Sequence, residues 1–288
     1  MQQRKDTVSD YQKRVNVVVE YINSHLDEDI DLNLLATVSN LSPYHFHRVV
    51  RGFLGEPIGA YIVRVRVQTA AKLLRYTSLP ICEVALRVGF DVPSSFNKAF
   101  RKHFETSPGL YRTSKTIKPM IENQKAVPQG TISLKPIIVD LENRKVIYIR
   151  IVGQYGGEEY SHTWERLWAF VKEHKLFTAG IEHLGISHDD PNVTSEDKCR
   201  YDAALVVHKP VSPMGEVGVK EVAGGRYARF TYVGPYQGLS DAYNAIHGTW
   251  LPQSGLSLRS VPVFERYCNN PKVTAPEKLR TEIFIPVE

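Results

Sequence analysis

Two short stretches fifty residues apart concentrate side chains able to hydrogen-bond a polyanion and the edges of its bases. The first, Ser42-Pro43-Tyr44-His45-Phe46-His47-Arg48-Val49-Val50-Arg51, holds a hydroxyl, a phenol, two imidazoles and two guanidinium groups. The second, Pro93-Ser94-Ser95-Phe96-Asn97-Lys98-Ala99-Phe100-Arg101-Lys102, holds hydroxyls, a carboxamide and three cations. Arg bonds guanine bidentately, Asn and His meet other base edges, and Lys serves phosphates, which set register without reading sequence. At helical spacing these groups alternate with Phe46, Val49, Val50 and Phe53, and with Phe96 and Phe100. Each stretch would therefore bury one face and present the other. His45 and His47 invite a metal reading, but two residues apart on a helix they point to different sides, and no Cys or acidic group completes a ligand set. No metal and no other cofactor is expected.

A different chemistry gathers downstream. Glu265 stands in the apolar run Val261-Pro262-Val263-Phe264, two residues before Tyr267. A carboxylate in such a setting is costly unless paired. A cationic ligand would supply the charge; so would a nearby Arg such as Arg226 or Arg229, and a Tyr would supply a hydrogen bond. Trp164 and Trp168 are four apart, hence on one helical face, and aromatic faces attract cations by about 0.5–2 kcal/mol when desolvated. With Tyr155, Tyr236 and Phe230 these residues form a candidate ligand set, although a helical aromatic stripe also suits a core. Glu265 with Tyr267 or Tyr155 could serve as acid and base, but the sequence offers no nucleophile–base pair, no metal spacing and no phosphate cradle. Gly224-Gly225 reads as a hairpin turn. His183, His188, Asp189, Asp190 and Cys199 cluster loosely beside Pro191 and read as a solvated loop. The chain is not expected to be an enzyme.

The elements that must carry these groups are legible. Residues 10–112 read as nearly continuous helix, with apolar spacing at Val15, Val18, Val19, Ile22 and Leu26 and again at Ile58, Tyr61, Ile62, Val65, Thr69 and Leu73. A short helix over 32–38 breaks at Ser39-Asn40-Leu41, after which Ser42 caps a second helix with Pro43 at its first position. The plan repeats: a short helix from Ile81, a turn at Gly89-Phe90-Asp91, and a second helix from Pro93. The helix between them, 58–76, spans roughly 28 Å at 1.5 Å per residue. As a rigid spacer it would set two recognition helices about one DNA turn, ~34 Å, apart.

From about Ile132 the pattern turns β-rich, and it repeats. Val152-Gly153-Gln154-Tyr155 is echoed 81 residues on by Val233-Gly234-Pro235-Tyr236; Pro191-Asn192-Val193-Thr194 and Asp197-Lys198-Cys199-Arg200 are echoed 80 residues on. With helix-like stretches at 163–176 and 239–251, each copy reads as strand, helix, strand, strand, with a cleft between the copies. The expected fold is thus multidomain: an all-α N-terminal domain with two helix-turn-helix units over 1–113, a linker over 114–130, and an α+β domain of two pseudo-symmetric strand-helix-strand-strand repeats over 131–288.

Charge divides along the same line. Residues 1–118 hold 17 Lys/Arg against 11 Asp/Glu, whereas 119–288 hold 19 against 20. A basic domain beside a neutral one fits a phosphate footprint confined to the first. Three scattered cysteines, a polar N-terminus and no apolar run of membrane-spanning length suggest a cytoplasmic chain with reduced thiols, near the nucleoid, with no membrane partner.

Residues 36–112 resemble the AraC/XylS family of transcription regulators. The resemblance lies in Gly59-Ala60-Tyr61-Ile62 with Arg64 and Arg66, in Ile81-Cys82-Glu83-Val84-Ala85, Gly89-Phe90-Asp91, Phe96 and Phe100-Arg101-Lys102, and in Ser107-Pro108 with Tyr111-Arg112. It implies base and backbone contact by Tyr44, His47 and Arg48, and by Asn97 and Lys98. Ser95 stands where that family often has Tyr, and Glu105 where it often has Gly. Residues 133–288 resemble GyrI-like small-molecule-binding domains, in Gly224-Gly225-Arg226-Tyr227, Tyr232-Val233-Gly234-Pro235-Tyr236, Phe264-Glu265-Arg266-Tyr267 and Glu282-Ile283-Phe284-Ile285-Pro286. The domain order is similar to that of Rob-like regulators. Together the resemblances imply double-stranded promoter DNA, a lipophilic or cationic effector and RNA polymerase as partners. A hydrolase or a protein-interaction module in the second domain is the alternative.

Overall fold

The computed structural model describes residues 2–114, 130–157, 159–259 and 261–288. Apart from Ser114 and Gly130, the linker expected over 114–130 lies outside the described residues. Contacts divide the chain into two units: Met1–Thr116 with Ser212–Gly218, and Ile117–Val211 with Val219–Glu288.

The first unit is helical: α1 (Gln2–Ser24), α2 (Leu32–Val38), α3 (Pro43–Leu54), α4 (Ile58–Tyr76), α5 (Ile81–Arg87), α6 (Pro93–Phe104) and α7 (Pro108–Ser114). Val15, Val18, Val19 and Ile22 form one stripe of α1 and pack against Leu35, Phe46, Val50, Tyr61, Ile62 and Val65. This stripe explains why α1 holds the first α2–α3 pair, since burying such a face is what fixes a helix in a small domain. The second pair is held by an aromatic ladder, Phe96, Phe100, Phe104 and Tyr111, with centroids of neighbouring rings 4.7–5.6 Å apart.

Among the described residues the second unit is built on nine strands: β1 (Thr131–Ile132), β2 (Ile137–Leu141), β3 (Arg144–Val152), β4 (His183–Ser187), β5 (Arg200–Val206), β6 (Gly218–Val222), β7 (Gly225–Val233), β8 (Val263–Tyr267) and β9 (Arg280–Pro286). Helix α8 (Glu159–Glu173) follows β3; α9 (Leu239–Ala245), a π-turn over Ile246–Trp250 and α10 (Leu251–Ser254) follow β7. The strands lie in the order β1-β7-β9-β8-β4-β5-β3-β6, with β2 also on β7. The short strands β1 and β6 lack the apolar run or alternation that would announce them in the sequence.

Gly224-Gly225 is not a hairpin turn. It joins β6 to β7, which lie toward opposite ends of the sheet. Three Cα steps reach at most roughly 11 Å, so the sheet must curl until its ends meet there. Gly224 N–H donates to Asn143 Oδ1 at 2.7 Å, and a Cβ at 224 would sit 2.4 Å from the Leu141 carbonyl oxygen.

The loop expected to be solvated is exposed over most of 191–198, but the groups at its two ends are buried. His188, Asp189 and Cys199 are all less than a tenth exposed. Asp189 receives the Arg200 guanidinium and the Arg200 N–H, each at 2.8 Å. Asp202, fully buried in β5, pairs with Arg150, Lys220 and His188. The polar composition that suggested water reflects a buried ionic network, which composition alone cannot distinguish from a solvated loop.

Candidate nucleic-acid interface and ligand site

Helix α3 begins where Ser42 Oγ accepts the His45 N–H at 3.4 Å and Pro43 fills the first position, where no N–H is needed. It ends at Gly55 in the left-handed region, φ 73°. Phe46 and Val50 face the core, while Ser42, His45, His47, Arg48 and Arg51 are exposed. The side chain of Tyr44, also on α3, lies outside the described residues. On α6, Phe96 and Phe100 are buried, and Ser94, Lys98, Arg101 and Lys102 are exposed. Asn97 is half-buried, its Nδ2 donating to the Pro93 carbonyl at 2.9 Å. Positions 94, 97, 98 and 101 recur at helical spacing, so the outer face of α6 is cationic beneath its polar first turn.

The turns before α3 and α6 use residues tolerant of positive φ, Asn40 at 52° and Gly89 at 76°. At Gly89 space is limiting as well: a Cβ would lie 2.3 Å from the Leu26 carbonyl oxygen and 2.6 Å from the Arg66 guanidinium. Arg66, on α4, donates from Nη1 to the Gly89 carbonyl at 2.9 Å and from Nη2 to the Glu28 carbonyl at 2.5 Å. One guanidinium thus ties α4 both to the segment before α2 and to the turn before α6. Arg64 is held on α4 by Glu56 at 2.7 Å and by Gln68 at 3.1 Å.

In the second unit the strand register decides the ligand site. Opposite residues of an antiparallel pair point to the same face, and the pairings run Phe230–Ile283–Glu265–Gly185–Ala203–Ile149 across β7, β9, β8, β4, β5 and β3. Ala242 and Ile246 cover Phe230 and Ile283. Tyr155, Tyr160 and Trp164 pack on Ile151, Tyr201 and Ala203. At the central pair, β4 and β8, the row holds a glycine and a carboxylate where the flanks hold apolar groups.

Glu265 is 4% exposed. Tyr243 donates to its Oε1 at 2.9 Å and Tyr267 to its Oε2 at 2.5 Å. Among the described residues no Lys, Arg or His lies within ion-pair distance of it; Arg226 instead donates to the Glu288 carbonyl. Burial pushes the Glu265 carboxyl above its ordinary pKa, and the hydrogen bonds from Tyr267 and Tyr243 pull it back. Around it, Tyr236 and Trp164 stand edge-on to Tyr267 at 5.3 and 6.0 Å, and Tyr160 lies 4.6 Å from Tyr201. Burial and the Glu265 charge raise the pKa of Tyr236 to about 12.

The expected ligand residues separate. Glu265, Tyr267, Tyr236 and Trp164 come together. Tyr155 joins them through its ring, 6.3 Å from Tyr201, while its hydroxyl donates to the carbonyls of Asp189 and Arg200. Trp168 stands one turn further along α8, its Nε1 donating to His183 Nε2 at 3.1 Å. Phe230 belongs to the core: it is fully buried, edge-on to Trp250 at 4.9 Å. Tyr201, Tyr243, Tyr160 and Gly185 were not anticipated. The available signal was a glycine in the middle of a strand, His183-Leu184-Gly185-Ile186-Ser187, which marks a close approach. No group of described His, Cys, Asp and Glu residues is arranged to hold a metal.

The model of the GyrI-like small molecule binding domain matches residues 134–288, and that of a helix-turn-helix domain matches residues 35–114. The chain belongs to the GyrI-like family and carries that domain behind an AraC-type helix-turn-helix region; it is a DNA-binding transcriptional regulator of the AraC family. It is 27% identical to the transcriptional regulator Rob of Salmonella typhimurium, across 93% of this chain and 95% of that protein. The right origin-binding protein of Escherichia coli K12 matches with the same identity and coverage. The HTH-type transcriptional activator AarP of Providencia stuartii is 36% identical across 35% of this chain and 76% of its own length. Among the described residues no helix is long and apolar enough to cross a membrane.

Proposed function

We propose that the chain controls transcription by binding promoter DNA through α3 and α6, and that a lipophilic cation seated against Glu265 is the effector that changes this binding. The observation that carries the ligand assignment is the state of Glu265: buried, held by two phenols, and without a cationic partner among the described residues. A buried carboxylate without a counter-ion is expensive. A cation arriving between aromatic faces repays that cost and adds cation–π attraction. Both oxygens already accept phenolic protons, which favours a charge role over an acid–base one. Trp164, Tyr236, Tyr155 and Tyr267 form the walls, and Trp168 reports on them.

On the DNA side, Arg48, His47 and His45 with Arg51 are assigned to the first half-site, together with Tyr44 and Ser42. Ser94, Asn97 and Lys98 are assigned to the second, and Arg101 and Lys102 to phosphates. The domains are assigned to 1–113 and 131–288. Strand order supports a duplicated second domain: β7-β9-β8 of one copy meets β4-β5-β3 of the other back to front, as a two-fold axis between β4 and β8 requires. RNA polymerase is assigned as a further partner, and the bacterial cytoplasm as the place of action.

Titration with tetraphenylphosphonium, followed by tryptophan fluorescence, tests the ligand assignment. Saturable quenching is expected, weakened about tenfold or more in Glu265→Gln, since a desolvated charge pair is lost. Equal binding by wild type and variant would remove Glu265 from the site. Repeating the titration on a fluorescent promoter duplex asks whether the ligand discriminates between the free and DNA-bound states, as any effector must.

A further inference from the structure

We propose that a relay of hydroxyl groups crossing from one half of the sheet to the other, Tyr201 to Tyr267 to Glu265 with Tyr243 at the second oxygen, keeps Glu265 ionised and thereby makes the site select ligands by charge. Tyr201 and Gly185, neither of which touches the carboxylate, are on this view specificity-determining positions. The proposal rests on the assignment of Glu265 as ligand counter-charge.

The geometry fixes the direction of the relay. Tyr267 commits its proton to Glu265 Oε2, and Tyr243 commits its own to Oε1. The Tyr201 hydroxyl lies 2.8 Å from that of Tyr267. With the Tyr267 proton already given away, Tyr201 is the donor of this pair. A phenol that accepts a hydrogen bond is polarised into a stronger donor, so Tyr201 strengthens the bond Tyr267 makes to the carboxylate.

Strand β4 lies between β5, which carries Tyr201, and β8, which carries Tyr267. The two hydroxyls meet directly above Gly185. A Cβ there would come within 2.5 Å of the Tyr201 oxygen and 2.4 Å of the Tyr267 oxygen. Gly185 is not among the glycines with positive φ, so its backbone does not demand a glycine; the space for the relay does. Mid-strand glycine weakens a strand, and Glu265 sits directly opposite it in the register.

The other ionisable groups facing the carboxylate do not replace the relay. Tyr155, Tyr160 and Tyr236 all have pKa values raised by burial and stay neutral donors at physiological pH. His183, on β4, accepts from Trp168 Nε1 and packs against Trp164 at 5.5 Å; burial lowers its pKa. The charge of Glu265 is therefore set by burial on one side and by phenolic donors on the other.

The test compares tetraphenylphosphonium, whose charge does not titrate, with neutral triphenylphosphine oxide, across a pH series from acid to neutral. Binding is measured for wild type, Tyr201→Phe, Tyr267→Phe, Gly185→Ala and Glu265→Gln. Wild type should bind the cation with an acid limb that Glu265→Gln abolishes, which separates it from His183. In Tyr267→Phe the limb should move toward neutral pH, and on its acid side the preference for cation over neutral probe should fall roughly tenfold for a move of one pKa unit. Tyr201→Phe should do the same to a smaller extent, though its hydroxyl bonds Tyr267 and not the carboxylate, and Gly185→Ala should follow Tyr201→Phe. Tyr201→Phe removes one oxygen and keeps the ring, so it carries the test if Gly185→Ala fails to fold. An unmoved limb in both Phe variants, or an equal loss for both probes, overturns the relay while leaving Glu265 as counter-charge. Wild-type cation binding in Glu265→Gln, or no cation binding by wild type, overturns the assignment itself and the relay with it.

Discussion

Glu105 closes α6 in the left-handed region, φ 56°, at the place where Gly55 closes α3 at φ 73°. The resemblance noted a departure from glycine here, and the structure supplies its physical meaning: a side chain with a Cβ is held in a conformation that costs an L-residue roughly 1–2 kcal/mol. Glu105→Gly should therefore stabilise the helical unit by about 0.5–1 kcal/mol after glycine's extra unfolded-state entropy is subtracted, and so raise its melting temperature. A lower melting temperature would show that the Glu105 side chain stabilises more than its backbone costs. His188 makes a pH prediction. Burial holds its pKa at about 4 against an ordinary 6.5. Between those values the unfolded chain binds more protons than the folded one, so stability is complete above pH 6.5 and falls as pH drops toward 4. Denaturant midpoints across that window should decline, and the decline should flatten in His188→Gln; an identical limb in the variant would assign it to another group. Beside His188, burial alone would raise the Asp202 pKa, but Arg150, Lys220 and His188 hold it well below the usual carboxylate range.

Among the elements, α4 was the most legible and is the most consequential. Its limits, Ile58–Tyr76, follow from apolar spacing. What periodicity could not show is that Arg66 reaches in two directions, to the Glu28 and Gly89 carbonyls. Those bonds tie the turn that launches α6, through α4, to the segment that leads into α2. Arg66→Met keeps the aliphatic stem and removes the ties. It should weaken binding to a two-half-site duplex about fivefold, the worth of roughly one net hydrogen bond, and leave a single half-site nearly unaffected. Equal losses on both duplexes, read by fluorescence anisotropy, would make Arg66 a general stabiliser rather than a coupling residue. The sheet shows the converse case. Its long strands were legible as apolar runs, but β1 and β6 owe their extended form to neighbours far away in sequence, and the Gly224-Gly225 crossing was misread because two glycines between strands look the same in a hairpin as at the meeting of two sheet ends.

At the scale of the molecule the charge partition becomes a measurable quantity. The exposed cations of α3 and α6 lie in a region, residues 42–118, with 13 basic and 4 acidic side chains. DNA affinity should fall linearly with salt on logarithmic axes, with a slope near −0.9 for each phosphate neutralised. Removing Lys98, Arg101 and Lys102 together should flatten that slope by roughly three units while sequence preference survives. A changed preference with an unchanged slope would reassign these residues from phosphates to bases.

The sequence by itself determined the two-part plan, the helix pairs with their caps and turns, the faces that α3 and α6 bury and present, and Glu265 as the anomalous charge in an apolar strand. These are local matters: helix period, cap chemistry, and the conflict between a carboxylate and its immediate neighbours. Tertiary structure decided which groups answer that conflict. Tyr201, Tyr243 and Tyr267 come from three separate elements, and strand register alone brings Gly185 opposite Glu265 to make room for them. It also decided that Phe230 is core and that His188 and Asp189 lie in a buried ionic network. A residue's type restricts what it can pair with, but its partner is chosen by the register of strands and the packing of helices, and these depend on the whole chain at once.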